Sequence, residues 1–394
     1  MRQVVIASAC RTPIGSFQGG LSGLAAPRLG AVVIKEAVRR AGISPGQVQE
    51  IFMGCVLTAG VGQAPARQAA IFAGIPNSVP CTTINKVCGS GLESVMLGAR
   101  TIMAGEADIV VAGGMESMSS APYLLEKART GYRIGDGKIV DSMVKDGLWD
   151  VYKDFHMGNA AELCAKELHI PREAQDGFAA MSYRRALEAM EKGYFKDEIV
   201  PVPIKLKDGS TILFEEDEEP RRAKFEKMPQ LKPAFDSEGS VTAANASKLN
   251  DGAAAVVLMA EDIANELKIE PLARLLSQAS FAQAPEWFTT APAPLIQKLL
   301  DKSQLKKEDI DLFEINEAFA VVTLAVAQIL DLDLGKVNVH GGAVALGHPI
   351  GASGARILTT LLCAMQRRDS RRGLAAICIG GGEAAGIIIE RTKK

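Results

Sequence analysis

No Cys-x-x-Cys pair occurs in the 394 residues, although the chain holds seven cysteines. An odd number at irregular spacing excludes a disulfide framework, speaks against a zinc site or any other bound metal, and points to a reducing cytoplasm. Charge of one sign is also lacking: the net charge is −2, so no electrostatic footprint for nucleic acid is present. Apolar runs such as "AFAVVTLAVA" from Ala318 reach about half the length that spans a bilayer, which leaves no membrane role. The opening "MRQVVIASACRTPIGSF" has no apolar h-region of a secretory leader. Histidine is scarce, with four in the chain. What remains is a long globular sequence, 47% hydrophobic, with room for two or three domains or one duplicated core.

The most informative stretch is "INKVCGSGLE" at 84–93. Leu92, Val95, Met96, Ala99, Ile102 and Met103 follow at helical spacing, with Glu93 and Arg100 the only charges among them. The spacing predicts a largely buried helix that ends near Gly105, followed by a buried strand, "ADIVVAGG". Cys88 then stands at the N-terminal end of the helix, where unpaired N–H groups and the helix dipole are expected to lower its pKa. The bland alternative is a small buried cysteine; the flanking glycines, which let a substrate approach the backbone, favour a nucleophile.

The pattern recurs. "GHPIGASGARILTTLLCAMQ" from Gly347 repeats the glycine-serine-glycine lead and the apolar helix, and "GLAAICIGGG" repeats the buried strand. "VQEIFMGCV" (48–56) and "IDLFEINEAFA" (310–320) are the matching upstream strands. A long repeat occurring twice predicts a duplicated α/β core. Mirrored halves would bring Cys88 and the Cys378 loop to equivalent ends. Between the halves the texture loosens: a Gly/Ser-rich stretch, an amphipathic helix in "REAQDGFAAMSYRRALEAMEKGYF", and a hairpin around Asp208-Gly209. The expected organisation is a first core half at 1–118, completed by about 249–270, an inserted binding lobe at 119–248, and a second half at 271–394.

Four stretches carry a family resemblance in order and separation: "INKVCGSGLES", "NEAFA" from Asn316, "GGAVALGHPIGASGARI" from Gly341 and "CIGGG" from Cys378. With "SACRTPIGSF", "HMGNAAE" and "NASKLNDGAAA" between them, the whole chain resembles the thiolase family, specifically its acetoacetyl-CoA-forming biosynthetic branch. The resemblance implies a duplicated core of five α-β-α-β-α layers with an inserted loop domain. It implies a Claisen condensation of two acetyl-CoA to acetoacetyl-CoA and CoA, or the thiolytic reverse, by ping-pong transfer through an acetyl-cysteine. Coenzyme A and acetyl-CoA are then substrates, with no permanently bound cofactor, and the protein is a homo-oligomer, a dimer of dimers.

Carried over residue by residue, the resemblance makes Cys88 the acylated nucleophile and His348 its base. His348 sits between Gly347 and Pro349, where a core role is hard to argue. His169 reads instead as an exposed helix end, and His340 as a hydrogen-bonded strand end. Cys378, closing a strand at three glycines, becomes the acid/base for the acetyl α-carbon, whereas Cys164 and Cys363 lie inside apolar helical patterns. Backbone N–H groups of Cys88 and Gly380 form one oxyanion hole. Asn316, which by residue type alone could be a helix cap, holds a water for the other with His348. His156, Met157, Arg221 (or Arg222), Phe235, Ala243, Ser247, Ala318 and Phe319 contact coenzyme A or the acyl group.

Two positions depart from the family's pattern. Lys248 stands where glycine is usual, which puts the Ser247 loop in question. Ala384 stands where a glycine is frequent, and would be strained by roughly 1 kcal/mol or more at positive φ. The rival readings are a β-ketoacyl synthase, disfavoured by the second cysteine; a broader 3-oxoacyl-CoA thiolase of β-oxidation; and a non-catalytic lipid-binding relative, which would be expected to lose Cys88, His348 or Cys378.

Overall fold

The computed structural model describes residues 2–392, so the outer ends of the first and last expected segments lie outside the described residues. The core is one mixed sheet built from two copies of the same motif. In the first half, β1 (Val4–Arg11) and β5 (Asn250–Ala260) run antiparallel, β5 pairs antiparallel with β4 (Ile109–Ser117), and β4 is parallel to β2 (Glu50–Gly54), which is parallel to β3 (Cys81–Ile84). The second half repeats this with β6 (Ala273–Ala282), β9 (Glu383–Arg391), β8 (Arg372–Ile379) and β7 (Leu312–Ile315). Even irregularities recur: β1 bulges between Ile6 and Ser8 and β6 between Leu275 and Ser277. A single parallel bridge, Phe313 to Val337, stands where β3 would be.

Helices make this five layers. α1 (Ala26–Arg40) and α2 (Pro65–Phe72) cover the first half-sheet on one side. α3 (Ser90–Ala104) and α9 (Ser353–Arg367) lie between the half-sheets, and α6 (Pro292–Ser303) and α7 (Ala320–Leu330) pack outside the second. The half-sheets join edge to edge through two residue pairs, Val5–Arg274 and Ile6–Ala273. Strands buried on both faces explain the near-continuous apolar runs in β1, β4 and β5. α3 and α9 approach closely enough that a Cβ on Gly354 would lie 2.3 Å from the Leu92 backbone nitrogen. Glycine there lets the two central helices start side by side, which sets the site.

Residues 119–248 carry α4 (Met157–Glu167), α5 (Arg172–Glu191) and the hairpin Val202–Lys205/Thr211–Phe214, which turns at Gly209 with φ 85°. This segment is tied to the core by a buried ion cluster. Arg11, at the end of β1, donates from Nε to Glu198 at 2.6 Å and from both terminal nitrogens to Asp217 at 2.7 and 2.9 Å, and all three side chains are fully buried. Arg11→Met should therefore leave two carboxylates uncompensated and cost about 3–5 kcal/mol. The urea midpoint measures this; an unchanged midpoint would show the cluster to be neutral for stability.

No helix among the described residues is long and apolar enough to cross a membrane.

Candidate active site

Cys88 sits in the turn between β3 and α3, one residue before the N-cap Gly89. The turn is forced: Val87 has φ 45°, a left-handed conformation that a β-branched residue adopts at a cost of about 1–3 kcal/mol. Ser90 holds it, with Oγ donating to the Val87 carbonyl at 2.6 Å and accepting from the Lys86 N–H at 2.8 Å. Strain held beside a half-buried thiol marks a position kept for geometry rather than packing.

The Cys88 sulfur meets backbone N–H groups of Gly380 and of Cys88 itself. These N–H groups favour the thiolate, yet burial outweighs them and pushes the thiol up to about 11. The expected lowering by the helix start is therefore corrected: Cys88 is a neutral thiol at rest.

His348 lies on the loop between α8 (Ala343–Leu346) and α9. Its Nδ1 is 2.6 Å from Ser353 Oγ, and that hydroxyl donates its single proton to the Pro349 carbonyl at 2.9 Å. Ser353 must then accept from Nδ1–H, which leaves Nε2 with its lone pair. Nε2 is buried and has no hydrogen-bond partner among the described residues. Burial, reinforced by Arg356, pulls the imidazole down to about 3, so it is neutral at rest. The loop is fastened by His348 N–H to Asn250 Oδ1 at 2.9 Å and Gly351 N–H to Glu116 at 2.9 Å.

Cys378 closes β8, buried, and near enough to Cys88 that a thiolate there would raise its pKa further. Burial raises its thiol well above the ordinary range. As the repeat predicts, the counterpart of the Cys88 turn is the His348 loop ahead of α9; Cys88 precedes a helix whereas Cys378 ends a strand, so the two cysteines do not occupy the equivalent ends expected of them. After Cys378 the chain turns through Gly381 and Gly382, both at positive φ, whereas Ala384 lies in β9 opposite Cys378 and outside that region. The expected strain at Ala384 is absent.

Asn316 follows β7 and is fully buried, with neither Oδ1 nor Nδ2 partnered among the described residues. It is no cap: the N-cap of α7 is Phe319. A buried amide without partners costs too much to be idle.

His156, Met157, Phe235, Ala318 and Phe319 come together. His156 caps α4 by accepting the Gly158 N–H at Nδ1 (3.0 Å), and burial lowers its pKa. It stacks on Phe235 at 4.7 Å, and Phe235 meets Phe319 edge-on at 6.1 Å. Met157, Ala318, Phe319 and Cys378 share one apolar cluster. Leu148, Leu249, Met143 and Ile350 form another that packs on Cys88. Ser247 donates its N–H to the Ala318 carbonyl at 3.0 Å. Arg221 and Ala243 are exposed, outside both clusters, with Arg221 held by Glu216 at 3.0 Å. Of the other residues weighed, His169 is exposed past α4, and Cys164 and Cys363 lie within helices. His340 is corrected: it is buried against Tyr194 and Phe195, its Nδ1 unpartnered among the described residues.

The sequence reading missed Val87, Ser353 and Asn250. Ser353 was visible only as part of a glycine-serine-glycine lead; nothing in its spacing shows that it fixes a histidine tautomer.

A family model described as the thiolase N-terminal domain matches residues 4–262, and one described as the thiolase C-terminal domain matches residues 269–391. The chain belongs to the thiolase family. Among curated relatives, it is 56% identical to "Acetyl-CoA acetyltransferase" of Cupriavidus necator over 392 residues, covering 99% of this chain and 100% of that one. It is 52% identical to "Acetyl-CoA acetyltransferase" of Pseudomonas aeruginosa, again over 99% and 100%. Against "Acetyl-CoA acetyltransferase, mitochondrial" of Bos taurus the identity is 52%, over 99% of this chain and 92% of the relative. A thiolase of this kind is an acyltransferase working on CoA thioesters.

Proposed function

We infer that the chain condenses two acetyl-CoA to acetoacetyl-CoA and CoA, and runs the thiolytic reverse, through an acetyl group on Cys88. The observation that carries the reading is that the Gly380 N–H meets the Cys88 sulfur while Cys378 lies within electrostatic reach of it, beside relatives named for this reaction over their full length.

In the first half-reaction His348 Nε2 takes the Cys88 proton as sulfur attacks the acetyl carbonyl, and returns it to the leaving CoA sulfur. In the second, the Cys378 thiol gives its proton to His348 and, as thiolate, takes a proton from the methyl of the next acetyl-CoA. The enolate carbon attacks the acetyl-Cys88 carbonyl, and Cys88 leaves and recovers its proton from His348, which restores all three groups to their resting state. The N–H groups of Cys88 and Gly380 hold the tetrahedral oxyanion, and His348 with a water on Asn316 holds the enolate oxygen. A rise in Cys378 thiol pKa suits this role, because it makes the thiolate more basic toward a weak carbon acid. Coenzyme A enters as substrate. His156, Met157, Phe235, Ala243, Ser247, Ala318 and Phe319 line its acyl and pantetheine path, and Arg221 meets its phosphates once freed from Glu216. The lobe at 119–248 covers it, between core halves at 1–118 with 249–270 and at 271–394. Seven free cysteines support a reducing cytoplasm. Exposed Tyr123, Leu125, Ile134 and Ile139 support assembly of dimers into a tetramer through this region.

Incubation with acetyl-CoA should place one acetyl group on the Cys88 peptide by mass spectrometry. Acetylation confined to another cysteine, or none, would end the proposal. Chain length gives a second check. Leu148 and Cys88 pack on one apolar cluster, and Met157, Phe319 and Cys378 share another. Extra methylenes forced among them cost roughly 1–3 kcal/mol, or about one to two decades in rate. The value of kcat/KM should thus fall from four- to eight- and sixteen-carbon 3-oxoacyl-CoAs. A rise along that series would assign the chain to β-oxidation.

A further inference from the structure

Lys248 breaks the family pattern beside Ser247, and the structure shows where its charge goes. The side chain turns inward. Its ammonium donates to the Ala246 carbonyl at 2.7 Å and to the Val344 carbonyl at 3.4 Å, and lies 5.6 Å from the Tyr183 ring centre. Two carbonyl oxygens and an aromatic face are what a small monovalent cation binds when it sheds water.

The two carbonyls belong to segments that carry opposite sides of the site. Ala246 pairs with Phe319, and Ser247 with Ala318, so one segment is the loop along the acyl and pantetheine path. Val344 belongs to α8, the short helix that leads through Gly347 into His348. The Val344 N–H is held in turn by Glu317 at 3.1 Å, next to Asn316. The backbone closes the circuit, since the Lys248 carbonyl accepts the His348 N–H at 3.3 Å. Burial lowers the ammonium to about 8, while Glu219 and Glu317 pull the other way and favour the charge.

We propose that Lys248 is a positioning residue that serves as a built-in monovalent cation, pinning the Ser247 loop to the helix that aims His348. It rests on the site reading above but makes a separate demand. Taking away the side chain leaves two carbonyl oxygens around an open site, and a free cation the size of the lysine head should restore what was lost.

The test compares the wild type with Lys248→Gly and Lys248→Met in choline chloride, with ammonium or methylammonium chloride added at constant ionic strength. Acetoacetyl-CoA cleavage by the wild type should ignore the change of cation. Both variants should lose at least about tenfold in kcat/KM, as expected for misplaced catalytic groups. Ammonium should restore most of the loss in Lys248→Gly and none in Lys248→Met, whose side chain fills the space without charge. Wild-type rates in either variant in choline would overturn the proposal, as would a folded Lys248→Gly that ammonium and methylammonium leave unrescued. Thermal melts keep the test open if Lys248→Gly folds poorly: a rise in midpoint with ammonium but not choline supports the site, and equal midpoints refute it. A wild type inactive on acetoacetyl-CoA would instead sink the functional reading, and the melts would still test the cation site.

Discussion

Cys378→Ala should still take an acetyl group onto Cys88, yet lose carbon–carbon bond formation by at least about 10²-fold, the scale of a missing acid–base group. The two half-reactions ask different things of the two thiols. Acylation needs a nucleophile with a base and an oxyanion hole, and the Cys88 turn, His348 and the N–H of Gly380 supply these without Cys378. Condensation needs a base at the methyl of the second substrate, and Cys378 is the group left over in the apolar cluster with Met157 and Phe319. Truncating a buried cysteine to alanine removes one sulfur and leaves the Gly381–Gly382 turn alone, so the fold should survive. Cys88→Ala, in contrast, should lose both half-reactions. Peptide mass spectrometry follows the acetyl group, and chromatography follows acetoacetyl-CoA. Condensation by Cys378→Ala at the parent rate would place the acid/base elsewhere.

How much of this was legible in the sequence depends on what each signal measured. The duplication was legible because apolar runs buried on both faces, glycine leads and buried helices report packing, and packing repeats when a core repeats. The end of α3 at Gly105, which has φ 80°, followed from the same logic. Cys88, His348 and Cys378 stood out because their neighbours are residues a core would not choose. What the sequence could not weigh was competition between effects. A helix start argues for a lowered thiol pKa, but Cys88 lies just short of α3, and desolvation outweighs the two N–H groups that reach it. Nor could spacing show that Ala384 is drawn into a strand opposite Cys378, or that Lys248 folds back onto carbonyls instead of disturbing Ser247. Those outcomes are set by groups far away in the chain, as with Ser182 and Asn338, which hold Glu317 beneath Val344.

His348→Ala should lower kcat/KM for acetyl transfer by about 10²–10⁴-fold, and the pH profile of the parent should reveal why. With the imidazole lowered to about 3 and the Cys88 thiol raised to about 11, neither partner titrates in the ordinary working range. The pair rests as thiol and neutral imidazole, and the proton moves only as sulfur attacks, when negative charge begins to form under the N–H groups of Cys88 and Gly380. From this pair, kcat/KM for acylation should be flat from about pH 5 to 7, below the range in which Lys248 loses its charge at about 8, and a thiolate–imidazolium pair would instead give an acid limb near neutrality. Ser353→Ala adds a finer test. Without the hydroxyl that accepts Nδ1–H, the proton is free to move to Nε2, which removes the base without removing the ring. Acylation should slow while folding stays intact. The same burial has a cost in acid: an unfolded histidine binds its proton near pH 6.5, whereas His348 holds out to about 3 and His340 to about 4. Below about pH 6.5 the unfolded chain therefore gains protons that the fold refuses, and stability should fall steadily from there toward pH 3. His348→Asn should soften that decline while losing acyl transfer, whereas His340→Asn should soften it and keep the activity. If both variants kept the parent's acid sensitivity, the two imidazoles would not be held neutral by the fold, and the resting neutral pair at Cys88 would have to be abandoned.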